Sequence, residues 1–141
     1  MRCFARSVRP SDDILASLVC RLEFRPDSLD ALRKRVAVDR ASIQARFDSW
    51  WGDGQTLAGY GAPAQLTTLC YALGITDDHV QYIVDDNPLK VGRFTPGRGI
   101  PIVPVSELYA RAPDVCLIFS ANFADDIQRR HPEFKGEWVV V

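Results

Sequence analysis

Gly59, Gly61 and Ala64 stand at the spacing G-x-G-x-x-A within "GYGAPAQ" (59–65). In dinucleotide-binding folds that spacing makes the phosphate-cradling turn: the glycines permit a sharp strand-to-helix corner and let backbone N–H groups approach a pyrophosphate. Pro63 falls where the first helical position is expected. Its missing N–H costs the helix nothing there, but it removes one donor from an anion site. Three readings of the turn stay open on these residues: a dinucleotide site, a site for another anionic ligand, or a tight corner with no ligand. A second stretch, "VDDNPLKVGRFTPGRGIPIV" (84–103), gathers Lys90, Arg93 and Arg98 in a glycine-rich loop. Cations beside a helix N-terminus can clamp phosphate oxygens. They are equally suited to a solvated loop. Asp85 and Asp86 close the preceding strand, where a ribose-binding acid sits in dinucleotide folds.

Other chemistry is sparse. The histidines are His79 and His131, and neither falls in a Ser/His/Asp or Cys/His arrangement, so no catalytic residue is expected. Cys3, Cys20, Cys70 and Cys116 form no C-x-x-C and no zinc spacing, so no metal site is expected. Cys20, Cys70 and Cys116 lie in apolar runs and read as buried free thiols.

The chain that must position these groups has 141 residues, enough for one domain with a small appendage and a core of its own. Hydrophobic residues make up 47% and charged residues 25%, as in soluble globular proteins. A net charge of −1 argues against a nucleic-acid or anionic-membrane surface as partner. The charge is uneven: residues 1–50 carry ten Lys/Arg against seven Asp/Glu, and residues 51–141 carry seven against eleven. "MRCFARSVRP" is basic but is followed by no long apolar stretch, so neither a signal peptide nor a membrane span is expected, and a cytoplasmic location follows.

Residues 1–8 alternate weakly, as in a short strand. "SDDILASLVCRLEF" (11–24) has helical spacing, and Pro26 ends that helix. Asp27 is placed to cap a second helix running to about Trp51, with Leu29, Leu32, Val36, Ile43, Phe47 and Trp50 on one stripe and "GDG" (52–54) as its stop. Residues 1–53 thus read as a two-helix connector. After Gly54 strands and helices alternate. "TLAGYG" (56–61), "VQYIVDD" (80–86), "IPIV" (100–103), "VCLIFS" (115–120) and "EWVVV" (137–141) are strands, and helices open at Pro63, Ser106 and Asn122. This is an α/β pattern: a Rossmann-like parallel sheet of five strands in the order 3-2-1-4-5, with helices on both faces. In that order the ligand crevice opens between the first and fourth strands. Residues 60–65 and 120–123 flank it.

"GYGAPAQLTTLCYALGI", "YIVDDNPLKVGRFTPGRGIPI" and "IFSANFADDI" together resemble the C-terminal domain of sugar C-methyltransferases acting on nucleotide-linked 4-keto-deoxyhexoses. The resemblance extends over the chain, and its motifs, G-Y-G-A-P-A, N-P-x-K-x-G-R-x-x-P-G-x-x-I-P-I and N-x-A-D, follow in order. It implies a Rossmann-like domain that helps bind the nucleotide-sugar. S-adenosylmethionine would be held by a separate catalytic domain, with no cofactor in the present residues and no activity from them alone. The substrate site is expected at the strand-order crevice, with Tyr60, Gly61, Ala62, Pro63 and Gln65 on one loop. Asn87, Lys90 and Arg93 would belong to the second loop and Asn122 to the opposite one. Lys90 and Arg93 would hold phosphate oxygens, Tyr60 would line the pocket and Asn122 would offer a polar contact. Gln65 stands where that family usually has Lys, and Ala121 where it has Trp. The partners expected are a nucleoside-diphosphate sugar and either the catalytic domain or a second copy, bound through residues 11–51, where Phe4, Phe24, Trp50 and Trp51 would expose an apolar patch. Two other functions fit the sequence: a stand-alone nucleotide- or NAD-binding domain, and a purely structural interaction domain.

Overall fold

The computed structural model describes residues 26–141. The chain divides into two compact units, Met1–Arg35 and Val36–Val141. The strand expected over 1–8 and the helix expected over 11–24 lie outside the described residues, as do Cys3, Cys20, Phe4 and Phe24.

Helix α1 spans Pro26–Gly52. It starts at the proline, so Asp27 lies inside the first turn and is not the cap; proline's fixed φ suits that turn. The helix stops as "GDG" demands, with Gln55 N–H donating to Trp50 O at 2.8 Å and Gly54 N–H to Trp51 O at 3.0 Å. Its apolar stripe is buried only over the last turns. Ile43, Phe47 and Trp50 are buried, while Leu32 is 58% exposed.

The remaining elements are β1 (Leu57–Tyr60), α2 (Leu66–Leu73), β2 (Ile83–Val84), β3 (Ile102–Val103), α3 (Ser106–Arg111), β4 (Val115–Ile118), a 3-10 turn (Ala121–Phe123), α4 (Ala124–Arg130) and β5 (Glu137–Val140). The strands pair in parallel in the order β3-β2-β1-β4-β5, as expected for right-handed crossovers. β1 and β4 are buried at every position, which explains their unbroken apolar sequences.

Alternation along the strands sends side chains to two cores. On one face Leu57, Ile83, Val115 and Leu117 pack with Ile43, Phe47 and Trp50 of α1 and with Leu66, Cys70 and Leu73 of α2. On the other, Ala58, Tyr60, Val84, Cys116 and Ile118 pack with Leu108 of α3 and Ile127 of α4. Helices therefore cover both faces. Cys70 and Cys116 are the buried free thiols anticipated, and burial pushes both thiol pKa values up. Trp50 is a core residue, 6% exposed, and so is not part of an open patch; Trp51 is half-exposed and stacks on His79.

Several boundaries differ from the sequence expectation. α2 begins at Leu66, not Pro63: Pro63 O accepts the Leu66 N–H at 3.0 Å, so the proline sits in the turn before the helix. Asn122 does not cap α4; it lies in the 3-10 turn, and Phe123 flanks the helix. That turn closes on itself through Phe123 N–H to Ser120 O at 2.8 Å, leaving the asparagine no capping role. β2 is two residues long. The loop after it is an ordered excursion tied by Thr95 N–H to Ile100 O and Ile102 N–H to Arg93 O.

The two glycines of the G-x-G spacing do separate jobs. A Cβ on Gly59 would sit 2.5 Å from the Phe119 ring and 3.0 Å from Ile83. Gly61 has φ +84° and faces the Ser120 hydroxyl. Gly59→Ala is expected to lower stability by about 2 kcal/mol, because Phe119 is itself packed in the core and has nowhere to go. The reading is a lower urea midpoint at unchanged m-value. An unchanged midpoint would show that the ring moves aside freely.

Candidate functional site

The C-terminal ends of β1 and β4 open into a cleft of about 280 Å³, lined by Tyr60, Ala62, Asp85, Asp86, Phe123 and Arg130 among others. This is the place where the strand order reverses and where open α/β sheets bind ligands. Gly61, Pro63, Lys90 and Ser120 also border it. A second hollow of about 420 Å³ adjoins it across Pro63, Ser120 and Phe123. Gln65, Leu69, Ala121, Asn122 and Val141 line that hollow, and no ionisable side chain does. Gln65 and Ala121, the two departures from the sugar C-methyltransferase pattern, thus share one wall-to-wall space. Asn87 and Arg93 lie outside both hollows. The Asn87 side chain accepts the Leu89 N–H at 3.0 Å, closing its own turn. Arg93 is exposed on the excursion.

The first cleft is built on a buried carboxylate. Asp85, 7% exposed, accepts the Ala62 N–H at 2.7 Å, the Asn87 N–H at 2.8 Å and the Lys90 ammonium at 3.1 Å. Lys90 also donates to Ala62 O at 2.9 Å. Gly61 N–H is spent on Val84 O at 2.7 Å. Two of the donors that a dinucleotide turn would aim at a pyrophosphate, the Gly61 and Ala62 N–H groups, are therefore already taken, one of them by a negative charge. The residues present do not fit a pyrophosphate at this turn, whether of NAD or of another dinucleotide. Lys90 braces the β1 loop against the β2 loop, a role its sequence position does not reveal.

Behind the cleft runs a chain of polar groups that sequence reasoning missed. Tyr60 is 1% exposed, and its hydroxyl lies 2.9 Å from Asp86 Oδ2 and 2.7 Å from His131 Nε2. Tyr109 reaches His131 Nδ1 at 2.7 Å from the other side. Arg130 donates to Asp86 Oδ2 at 3.0 Å and to Asp126 Oδ2 at 2.9 Å. The proton order follows from donor counting. Asp86, as a carboxylate, only accepts, so Tyr60 donates to it. Tyr60 then accepts from His131 Nε2–H, and His131 Nδ1 accepts from Tyr109. Every group is satisfied with His131 neutral. Burial holds the imidazole below its ordinary pKa, with Arg130 adding to that and Asp86 opposing it. Burial, then the Asp86 hydrogen bond, pushes the Tyr60 phenol far up, so it keeps its proton.

His131 is 71 residues from Tyr60, and in sequence it marks only a helix end before Pro132. The signals available were local: "VDD" sends successive acids to opposite sides of a strand end, and "RRHP" places a cation and an imidazole where α4 stops over the sheet. Among the described residues no group of His, Cys, Asp and Glu is placed to hold a metal ion, and no helix is long and apolar enough to cross a membrane.

Residues 23–141 match the family model described as the C-methyltransferase C-terminal domain. Among curated proteins the chain is similar to the C-methyltransferase NovU of Streptomyces niveus, at 34% identity over 104 residues. That similarity covers 72% of this chain, and the chain spans about a quarter, 25%, of the relative's length.

Proposed function

The chain belongs to the C-methyltransferase C-terminal domain family, and from that premise we propose that it is the substrate-binding, accessory domain of a sugar C-methyltransferase. Methyl transfer would take place on a separate catalytic domain that binds S-adenosylmethionine, supplied in the same polypeptide or in trans. A nucleoside-diphosphate sugar would enter the paired hollows at the ends of β1 and β4. The observation that carries this reading is the location of those hollows at the strand-order reversal, flanked by the motifs that carry the family resemblance. Of the groups expected to contact it, Tyr60 offers the cleft only its buried ring and Lys90 is held by Asp85. Gln65 and Asn122 supply polar contacts in the second hollow, and Arg93, which lies outside both hollows, would meet only a phosphate that extends beyond them.

The reading gives a binding order. Gln65→Lys places a cation beside the phosphates and is expected to tighten binding of a thymidine-diphosphate sugar about tenfold, since one charge-assisted hydrogen bond contributes roughly 1.5–3 kcal/mol. Arg93→Ala is expected to weaken it by a similar factor, and S-adenosylmethionine is expected not to bind. Calorimetric titration at one ionic strength checks all three. Equal affinities for wild type and both variants would show that the phosphates lie elsewhere.

A further inference from the structure

The first cleft is charge-balanced. Asp85 is matched by Lys90, and Asp86 by Arg130, which is shared with Asp126. It therefore has no surplus cation with which to hold a pyrophosphate. It does have one oxygen with nothing to accept: both bonds to the Asp86 carboxylate, from Tyr60 and Arg130, fall on Oδ2, and Oδ1 takes no bond from the described residues. The Asp86 side chain is 46% exposed and borders the cleft, as does Phe123, which is 62% exposed. A fixed acceptor beside an open aromatic surface suits a hydroxylated ring better than an anion.

The acceptor is fixed by the proton order behind it. Tyr60 has one proton to give. Asp86 only accepts, so that proton goes to it, and Tyr60 is left to accept from His131 Nε2–H. His131 Nδ1 is then the acceptor for the Tyr109 hydroxyl 2.7 Å away. Tyr60 itself is immobilised in the core beneath the cleft by Trp138 and His131. Asp86 is thus a carboxylate held by a rigid phenol, on a residue that borders the cleft, with Oδ1 taking no bond from the described residues.

We propose that Asp86 is the hydroxyl-binding residue of this cleft: Oδ1 accepts from a hydroxyl of a sugar ring, and Tyr60, oriented by His131, is the positioning residue that holds the carboxylate for it. The inference rests on the reading of the cleft as a nucleotide-sugar site and names the part of the ligand that it holds. The hydroxyl could belong to a ribose or to the hexose. The chemistry is the same, and the experiment separates them.

The test is calorimetric titration of the full chain with uridine-diphosphate glucose, thymidine-diphosphate glucose and thymidine diphosphate. It is run on wild type, Asp86→Asn, Tyr60→Phe and the double variant, with thermal unfolding of each as a control for folding. Asp86→Asn is expected to weaken sugar-nucleotide binding about tenfold. A loss confined to the uridine ligand assigns the contact to the ribose 2′-hydroxyl. A loss with both glucose ligands but not with thymidine diphosphate assigns it to the hexose. Tyr60→Phe keeps the ring and removes the donor, and is expected to weaken binding about threefold in the wild-type background and not at all in the Asp86→Asn background, because its effect passes through Asp86. Unchanged or tighter binding by a folded Asp86→Asn variant overturns the proposal, as does an additive double variant. If that happens while Gln65→Lys still tightens binding, the nucleotide-sugar reading stands and only the assignment of Asp86 falls. If wild type and Gln65→Lys bind none of the three ligands, both fall.

Discussion

A chain trimmed to residues 54–141 is expected not to fold, whereas one trimmed to 36–141 is expected to fold cooperatively. The sheet, with its five strands and three short helices, lies wholly within the shorter piece. One of its faces, however, is closed by α1. Ile43, Phe47 and Trp50 are buried and belong to the same core as Leu57, Val115 and Leu117. Full burial of such side chains is worth roughly 1.5–3 kcal/mol each, so losing the three removes on the order of 5–9 kcal/mol. A domain of this size has about 5–15 kcal/mol in all. The trimmed sheet would also expose Leu73 O and Gly74 O, which now accept from Gln44 at 2.9 and 3.1 Å, and would unstack His79 from Phe47. The Arg46–Glu137 pair at 2.8 Å adds little, being half-exposed on both sides. Far-ultraviolet circular dichroism with urea unfolding of the two trimmed chains checks this. A cooperative transition of native-like steepness in the 54–141 piece would show that α1 is dispensable.

Asp85→Ala is expected to lower stability by about 3 kcal/mol and to loosen the cleft. The substitution deletes a buried acceptor and leaves the Ala62 and Asn87 N–H groups without partners, and each such charge-assisted bond contributes roughly 1.5–3 kcal/mol. The bond to Lys90 is discounted, because that ammonium is 39% exposed and finds water. For a domain of this size the loss corresponds to a fall in Tm of about 10 °C. Lys90→Met is expected to cost less than half as much, since Asp85 keeps both backbone bonds. The two melting curves, with the Asp85→Ala titration described for Gln65→Lys, check this. Equal melting temperatures for Asp85→Ala and wild type would mean that the loop is held by its turn geometry alone.

The chemistry of the cleft reverses a reading that the sequence invites. A G-x-G turn with an acid after the next strand looks like a cofactor site, and the pieces are all present. Gly59 is there for Phe119, Gly61 for the corner beside Ser120, and the first acid, Asp85, fills the place of the anion. Pro63 stands outside the helix it was expected to open. Four of the nine residues expected at the substrate site, Gln65, Asn87, Arg93 and Asn122, do not border the first cleft. Two of those, Gln65 and Asn122, meet in the second hollow.

By itself the sequence determined the architecture. Unbroken apolar runs such as "VCLIFS" must be covered on both sides, period-3.6 stripes such as Leu66, Cys70 and Leu73 must lie against them, and right-handed crossovers leave the order β3-β2-β1-β4-β5. These are rules about which residues face the core, and a residue's neighbours along the chain suffice to apply them. The tertiary structure alone decided which hydrogen-bonding groups are already taken. Asp85, Lys90 and Ala62 are joined across 23 and 28 residues, and Tyr60 and His131 across 71. Which of several donors an acceptor takes depends on distances of a few tenths of an ångström set by packing, and no local pattern encodes them. That is why the place of the crevice could be read from the sequence, while the carboxylate that fills its turn and the one with an oxygen unbonded by the described residues could not.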